Sequence, residues 1–493
     1  MSSDVPYVVF ERASTVKPLG SAMAVGPSLL PVFEQLGIYE EFLTISNPAD
    51  ELAYYEENTK NFQTADHRPL EKIAGYGLRI VSRPVQHALF LKQIPAHKIH
   101  FGHRVLNITE ENEKVIIHLA NSETFEGDIV VGADGAYSAV RQRMYEKLKA
   151  KGELPQSDME DLPFGYTCLV GQTEVLGAED FPIVEDPKCQ FNLVLGRERP
   201  LTVVTFNTAQ KTICWMVIHY LSTKTSKAAV EQRFRNSENS EWGAYPAQTM
   251  CDETRDFPVQ LGDGKERTLG DLYDRTPQHL ISKVMLEEKV FETWHYGRTV
   301  LLGDACHKIH PASGQGGVTA MHDAIALANL LYALPSSSSS DITQIFEEYR
   351  SERFPIVTQT FKDALFAKKT IDKGIGGRLT LYLFTHMPYW LWKKVKKRKR
   401  LLPHEIMDVP SRSNEKGAVS LEVVINKKVY AAVSLRASTS TPGAYVRLAL
   451  QESLRTGQVV PIVADKDSSG RIVGLVAGTS VAFGGRSTYN VAI

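Results

Sequence analysis

The stretch RTVLLGDACHKIHPASGQGG, residues 298–317, constrains this chain more than any other. Val300–Leu302 read as a buried strand ending in Gly303-Asp304, and Gly314, Gly316 and Gly317 lead into an alanine-rich helical run over 320–334. A carboxylate at a strand end accepts several hydrogen bonds at once. Glycines at a helix N-terminus let backbone N–H groups come close to a negatively charged or electron-rich ligand. Strand, acid, glycine turn and helix in that order fit an α/β unit that holds a ligand beyond its strand ends. The plainer reading of Gly303-Asp304 alone is a tight turn with the aspartate as a helix cap.

Two further stretches point the same way. In VVGADGAYSAVR, residues 130–141, a buried strand ends in Asp134-Gly135 and turns into a helix, and here too a plain cap explains the aspartate when the motif stands alone. In IVSRPVQHAL, residues 80–89, Arg83 stands where a strand meets a helix, so its guanidinium can clamp a diphosphate in bidentate fashion. Near the N-terminus YVVFERAS, residues 7–14, reads as a short strand followed at once by Glu11. In dinucleotide-binding folds an acid at the end of the second strand holds the adenosine ribose, about 20 residues after a glycine-rich turn. No glycine precedes Glu11 in this chain.

Composition narrows the classes. With 56 basic and 57 acidic residues the charges cancel, so net charge implies no nucleic-acid partner. The five cysteines are scattered without a CxxC pair, which points to reduced thiols, an intracellular compartment and no zinc site. There is neither a secretory leader pattern nor an apolar run long enough to span a bilayer.

Along the chain, apolar spacing predicts one helix from Pro27 to Phe42, a strand over Arg79–Ser82 and a helix through Leu91. Residues 98–135 read as short β segments with turns at Glu111-Asn112 and Asn121-Ser122, and 137–152 as a helix. FGYTCLVGQTEV, CQFNLVLGR, LTVVTFNT and TICWMVIHYL predict an antiparallel sheet over about 163–235. Residues 236–280 look polar and turn-rich, the serines 336–340 a surface break, and 341–400 two or three helices. The last ninety residues lean to β structure, with one helical piece at YVRLALQESLRTG and no chemical motif.

GADGAYSAVR and GRTVLLGDACHKIHPASGQGG, in this order after IVSRPVQHAL, resemble the DG and GD motifs of FAD-dependent monooxygenases of the aromatic-hydroxylase type, the group A flavin monooxygenases. The fungal subgroup acting on polyketide, terpenoid and indole-terpene compounds is the most similar in flavour, and the resemblance spans about residues 5–395. It implies FAD as cofactor, with Glu11 at the adenosine ribose, the Ala24 backbone in contact with FAD, Arg83 beside the flavin diphosphate, Asp134 in the DG motif, and Asp304 at the ribitol. It also implies Gly317 facing the isoalloxazine and Pro311 on the side where oxygen reacts, while Cys306, His307 and His310 keep structural roles.

The implied fold is α/β: a Rossmann-like FAD-binding domain in two parts, 1–160 and 286–400, with an inserted antiparallel substrate sheet over 161–285 and a β-leaning extension over 401–493. The chain as written starts at the second strand of the nucleotide unit, so the first strand and its GxGxxG turn are expected to be missing. Ala24 and Ser28 replace the usual glycine and asparagine.

The implied activity is insertion of one oxygen atom from O2 into a small apolar or aromatic metabolite through a flavin C4a-hydroperoxide, with NAD(P)H as co-substrate. A non-hydroxylating FAD oxidoreductase, or a pseudoenzyme with impaired flavin binding, are the alternatives. LTLYLFTHMPYWLWKKVKKRKR, residues 379–400, reads either as the last helix of the FAD domain, which we prefer, or as an aromatic and basic anchor on a membrane surface.

Overall fold

The computed structural model describes residues 6–16, 18–221, 241–242 and 244–371, and four strands between 419 and 477. Contacts divide the chain into two units, Met1–Leu30 with Ile38–His404, and Pro31–Gly37 with Glu405–Ile493. In the second unit Val419–Ile425 pairs with Lys428–Leu435, and Ile462–Lys466 with Ile472–Ala477, both antiparallel. The helical piece expected at 445–457 and the segment 379–400 lie outside the described residues.

The first unit holds two kinds of sheet. Parallel pairing, the mark of an α/β unit, joins Val9–Glu11 to Ile99–Phe101 and Val130–Gly132 to Thr299–Leu301. Among the described residues no strand joins these two pairs, and Val8, Val9 and Val131 are exposed. The hairpins over Val105–Gly127 turn at Asn112 and Ser122, both in left-handed backbone, where the sequence places its turns.

The larger sheet has eight strands, in the order Glu241–Trp242, Ser282–Glu287, Phe164–Gln172, Ile213–Tyr220, Leu201–Asn207, Phe191–Leu195, Glu51–Glu56 and Asn61–Asp66. Its central strands are nearly continuous runs of buried residues, because both faces are covered. Glu51–Glu56 joins Phe191–Leu195 in parallel. That strand and its hairpin partner are missing from the sequence-based prediction: ELAYYE and NFQTAD are short and polar-flanked, and only pairing to a segment 140 residues downstream makes them strands.

Three helical expectations change. The single helix over 27–42 is two, Leu30–Gln35 and Tyr39–Thr44, because Gly37 adopts φ +71°, which ends a helix. The stretch 236–280 is not all turns. It holds the helix Ala244–Thr254, whose Ala247, Met250 and Cys251 are buried at helical spacing in the core beneath the sheet. The serine run is a surface break over 336–338 and its last two residues also start the next helix: Ser338 Oγ accepts from Asp341 N at 3.2 Å, and one helix runs over Ser339–Ile371 with Pro355 inside it.

One close approach fixes the sheet core. Gly171 lies opposite Trp215, and a Cβ at 171 would meet the indole at 2.3 Å. Trp215 is fully buried and its Nε1 donates to Thr276 Oγ1 at 3.0 Å, so the indole cannot swing aside without losing that bond. Gly171→Ala is therefore expected to destabilise the protein by about 1–3 kcal/mol, read as a lowered urea midpoint. An unchanged midpoint would show that the indole relocates freely.

Candidate functional site

Two loops that leave the parallel strands are tied together by one side chain. Arg141, on the helix Ala139–Lys151, is 6% exposed. Its Nη1 donates to Ala305 O and its Nη2 to Ala136 O, both at 2.6 Å, and its guanidinium lies over the Phe291 ring at 4.1 Å. Burial pulls its pKa below the usual arginine value, with nearby Tyr145 and Asp134 working against that pull. The Asp134 loop and the Asp304 loop thereby share one anchor.

Asp134 itself takes the role that the plainer reading gave it. Its carboxylate accepts from Ser138 Oγ at 2.5 Å and from the backbone N–H groups of Ala139 and Val140 at 2.6 and 3.2 Å, capping the helix. Its loop remains open: Gly135 has φ +84° with nothing within 4 Å of where a Cβ would stand. Gly132 does the opposite work, since a Cβ there would press to 2.8 Å on Val140 and Leu301, so helix and strand pack at close range.

The Asp304 loop is fixed from behind. Asp323, on the helix Gly316–Tyr332, is fully buried. Its Oδ2 meets His307 Nε2 at 2.5 Å and accepts from Gly303 N at 3.2 Å, while Oδ1 accepts from Arg353 Nε at 2.7 Å. His307–Lys308 also pairs with Lys289–Val290, the strand that continues from the large sheet. Burial pushes the Asp323 carboxyl up, but His307 and Arg353 outweigh it and hold it below the usual carboxylate range. Cys306 is buried with its Sγ 3.5 Å from Gly303 O, and burial raises its pKa far above the usual thiol value. Asp304, half-buried at the mouth of this loop, is ion-paired with Lys308.

Ala24, Arg83 and Gly317 converge at the front. Among the described residues the strand Ala22–Val25 pairs on one side only, with Arg79–Ser82. Arg83 N donates to Ser21 O at 2.9 Å, which marks Ser21 and Met23 as the residues bonded across the pair. By alternation the backbone groups of Ala22 and Ala24 face the open edge. Arg83 is exposed and its guanidinium has no partner among the described residues; its stem lies 3.4 Å from where a Cβ of Gly20, at φ +126°, would stand. On the other face of the strand, Met23 rests on Gly317.

Behind Arg83 are Ser21 and Gln86, 5% and 2% exposed, whose hydroxyl and amide have no hydrogen-bond partner among the described residues. A buried unsatisfied group costs about 1–3 kcal/mol, so orphaned donors and acceptors mark a place where something polar is missing. A free guanidinium, an open backbone edge, orphaned polar groups and the unobstructed left-handed glycines Gly135 and Gly314 suit the diphosphate and rings of FAD. The residues present fit that group.

Glu11 stands apart from these. It ends its strand exposed, and its Oε1 accepts from Ala13 N at 2.8 Å. Arg141, Asp323 and Arg353 are the residues that sequence reasoning missed. The only signal for Arg141 was its position at the end of GADGAYSAVR, and Asp323 and Arg353 carried none. Among the described residues no His, Cys, Asp or Glu cluster is arranged to hold a metal ion, and no helix is long and apolar enough to cross a membrane. A cleft of about 400 Å³ against Trp294, His295 and Arg350 contains none of these residues.

Known proteins match this arrangement. A family model described as FAD binding domain matches residues 4–364. The FAD-dependent monooxygenase ausM of Penicillium brasilianum is 26% identical over 423 residues, covering 83% of this chain and 84% of its own length. The FAD-dependent monooxygenase paxM of Penicillium paxilli is 27% identical over 375 residues, 73% of each chain. Among solved structures, Klebsiella pneumoniae HpxO complexed with FAD and uric acid shares the fold at a TM-score of 0.58 and 18% identity, over 79% of this chain and 88% of its own. The 2,6-dihydroxypyridine-3-hydroxylase of Arthrobacter nicotinovorans does so at 0.56 and 14%, over 75% and 88%.

Two outcomes follow from the anchors. Arg141→Met leaves two buried carbonyls unbonded and is expected to cost about 3 kcal/mol or more, measured as a lowered thermal midpoint. Asp323, its pKa depressed on folding, contributes stability that is complete above the ordinary carboxylate value and is lost as pH falls through the lowered one. The thermal midpoint of the parent should therefore fall below about pH 4, and Asp323→Asn should flatten that acid limb while lowering the midpoint at neutral pH. An acid limb that survives Asp323→Asn would assign it to other groups.

Proposed function

The chain belongs to the FAD binding domain family, and on that premise we propose that it is an FAD-dependent monooxygenase acting on a small apolar or aromatic metabolite. The observation that carries the reading is the unpartnered Arg83 guanidinium beside the open edge of the Ala22–Val25 strand and the Gly316–Gly317 helix start. Bound there, FAD would supply the redox chemistry, with NAD(P)H as reductant and O2 as the source of one oxygen atom for the substrate and one for water.

The residues divide the holding of that cofactor. Arg83 balances the diphosphate charge in bidentate fashion, the Ala24 backbone meets it along the open edge, and the Asp134–Gly135 turn brings backbone N–H groups to the same anion. Asp304 accepts from ribitol hydroxyls, with Lys308 neutralising its charge until then. Gly317 lets the rings approach the helix start, and Glu11 accepts from the adenosine ribose.

The domain limits are those of the sequence, 1–160 and 286–400 for the cofactor and 161–285 for the substrate sheet, with Glu51–Asp66 contributed to the sheet and 401–493 left without a role. The large sheet, carried against the Asp304 loop by the Lys289–Val290 strand, forms the wall on the substrate side and excludes water. Five free and buried cysteines support an intracellular compartment. For residues 379–400 the sequence supports a last helix of the FAD domain ahead of a membrane-surface anchor.

The test is the visible spectrum of the purified full chain, followed by NAD(P)H and O2 consumption with mass analysis of products. A yellow protein that releases FAD on denaturation and adds one oxygen atom to a product is expected. Arg83→Ala should weaken FAD by roughly 10–100-fold, the loss of charge-assisted hydrogen bonds. A colourless protein that takes up no added FAD would reject the reading, and flavin turnover without oxygen in any product would leave a non-hydroxylating oxidoreductase.

A further inference from the structure

Met23 and Gly317 form a complementary pair that neither motif announces. Met23 sits in the strand Ala22–Val25, between two alanines that pack into the core of the large sheet with Ile80 and Leu193. Side chains alternate along a strand, so Met23 projects from the opposite face. There it meets the first turn of the helix Gly316–Tyr332: a Cβ built on Gly317 would stand 2.6 Å from Met23 Cε and 3.5 Å from Sδ. At that distance a side chain at 317 would have to push the Met23 methyl aside. The absence of one lets the thioether methyl lie on the helix backbone.

We propose that Met23 is a cofactor-contacting residue, its thioether packed against the edge of the FAD ring system over Gly317. The inference rests on the FAD reading above. Three observations converge on it. Met23 is half-buried rather than sealed in a core, so one side of it remains available to a ligand. Its neighbours Ala22 and Ala24 turn their backbone groups to the free strand edge, the place assigned to the cofactor. The helix start beneath it carries unshielded N–H groups and no side chain at Gly316 or Gly317. A thioether is polarizable, has three rotatable bonds and makes favourable contacts with aromatic ring edges at about 5 Å. It can therefore adjust its position over Gly317 as the rings seat, where a branched side chain is stiffer.

The experiment uses the full chain labelled with [methyl-13C]methionine and titrated with FAD, binding being followed independently by quenching of flavin fluorescence. The Met23 methyl is assigned by its loss in Met23→Leu. It is expected to move downfield in step with FAD binding, as the ring current requires of a nucleus at the edge of an aromatic system, while methyls elsewhere stay in place. Before FAD is added, Gly317→Ala should already displace that one methyl resonance, because the added Cβ occupies its position. Met23→Leu, which keeps apolar bulk and removes the sulfur, should bind FAD but shift the visible band of the bound flavin.

FAD that binds while the Met23 methyl stays unmoved overturns this inference and leaves the FAD reading intact. A methyl indifferent to Gly317→Ala overturns it as well, by denying the contact. A chain that quenches no flavin fluorescence overturns the FAD reading and this inference with it.

Discussion

The candidate site depends first on a buried cation that touches no ligand. Arg141 reaches from its helix to Ala136 O in one loop and Ala305 O in the other, so the two loops keep their spacing only while the guanidinium stays in place. A planar fork of donors can bridge two carbonyls in fixed geometry, which an ammonium on a flexible stem cannot do. The cost is a charge removed from water. Two carbonyl dipoles and the face of the Phe291 ring offset it.

A second buried group completes the arrangement from the other side. Asp323 gathers His307, Gly303 N and Arg353 around one carboxylate, joining the loop to the helices Gly316–Tyr332 and Ser339–Ile371. The buried carboxylate is stabilised by the three donors that converge on it. Here the network is placed behind the loop, so that Asp304, Gly314 and Gly317 in front are left for a ligand. In front the logic is reversed: among the described residues Arg83, Ser21 and Gln86 lack the partners that a stability-optimised fold would give them.

Much of this was legible in the sequence, and the rest has a physical reason for having been hidden. Strand ends at Gly132 and Leu301, the helix after Asp134, and the turns at Asn112 and Ser122 are local features, set by propensity, capping and left-handed backbone. Asp134 shows the limit of a local signal. The same carboxylate suits a cap or a ligand, and the structure places it as the cap. Contacts between residues far apart in the chain left no trace: Arg141 with Ala305, Asp323 with Arg353, Met23 with Gly317. Each depends on helices and strands docking, and no residue type announces which distant partner it will meet. The split of the 27–42 helix at Gly37 was visible as a glycine, but the apolar spacing on either side outweighed it in the reading.

The parallel seam between Glu51–Glu56 and Phe191–Leu195 carries a temporal consequence. On a ribosome the hairpin Glu51–Asp66 emerges some 140 residues before the strand that it must join. At ordinary synthesis rates that is a wait of roughly 7–30 s, far longer than hairpins take to form. During it Glu51–Glu56 presents an unpaired edge, the kind of surface to which other chains add. Its charged ends, Glu51 and Glu56, suit that interval: they discourage wrong partners until the right strand arrives.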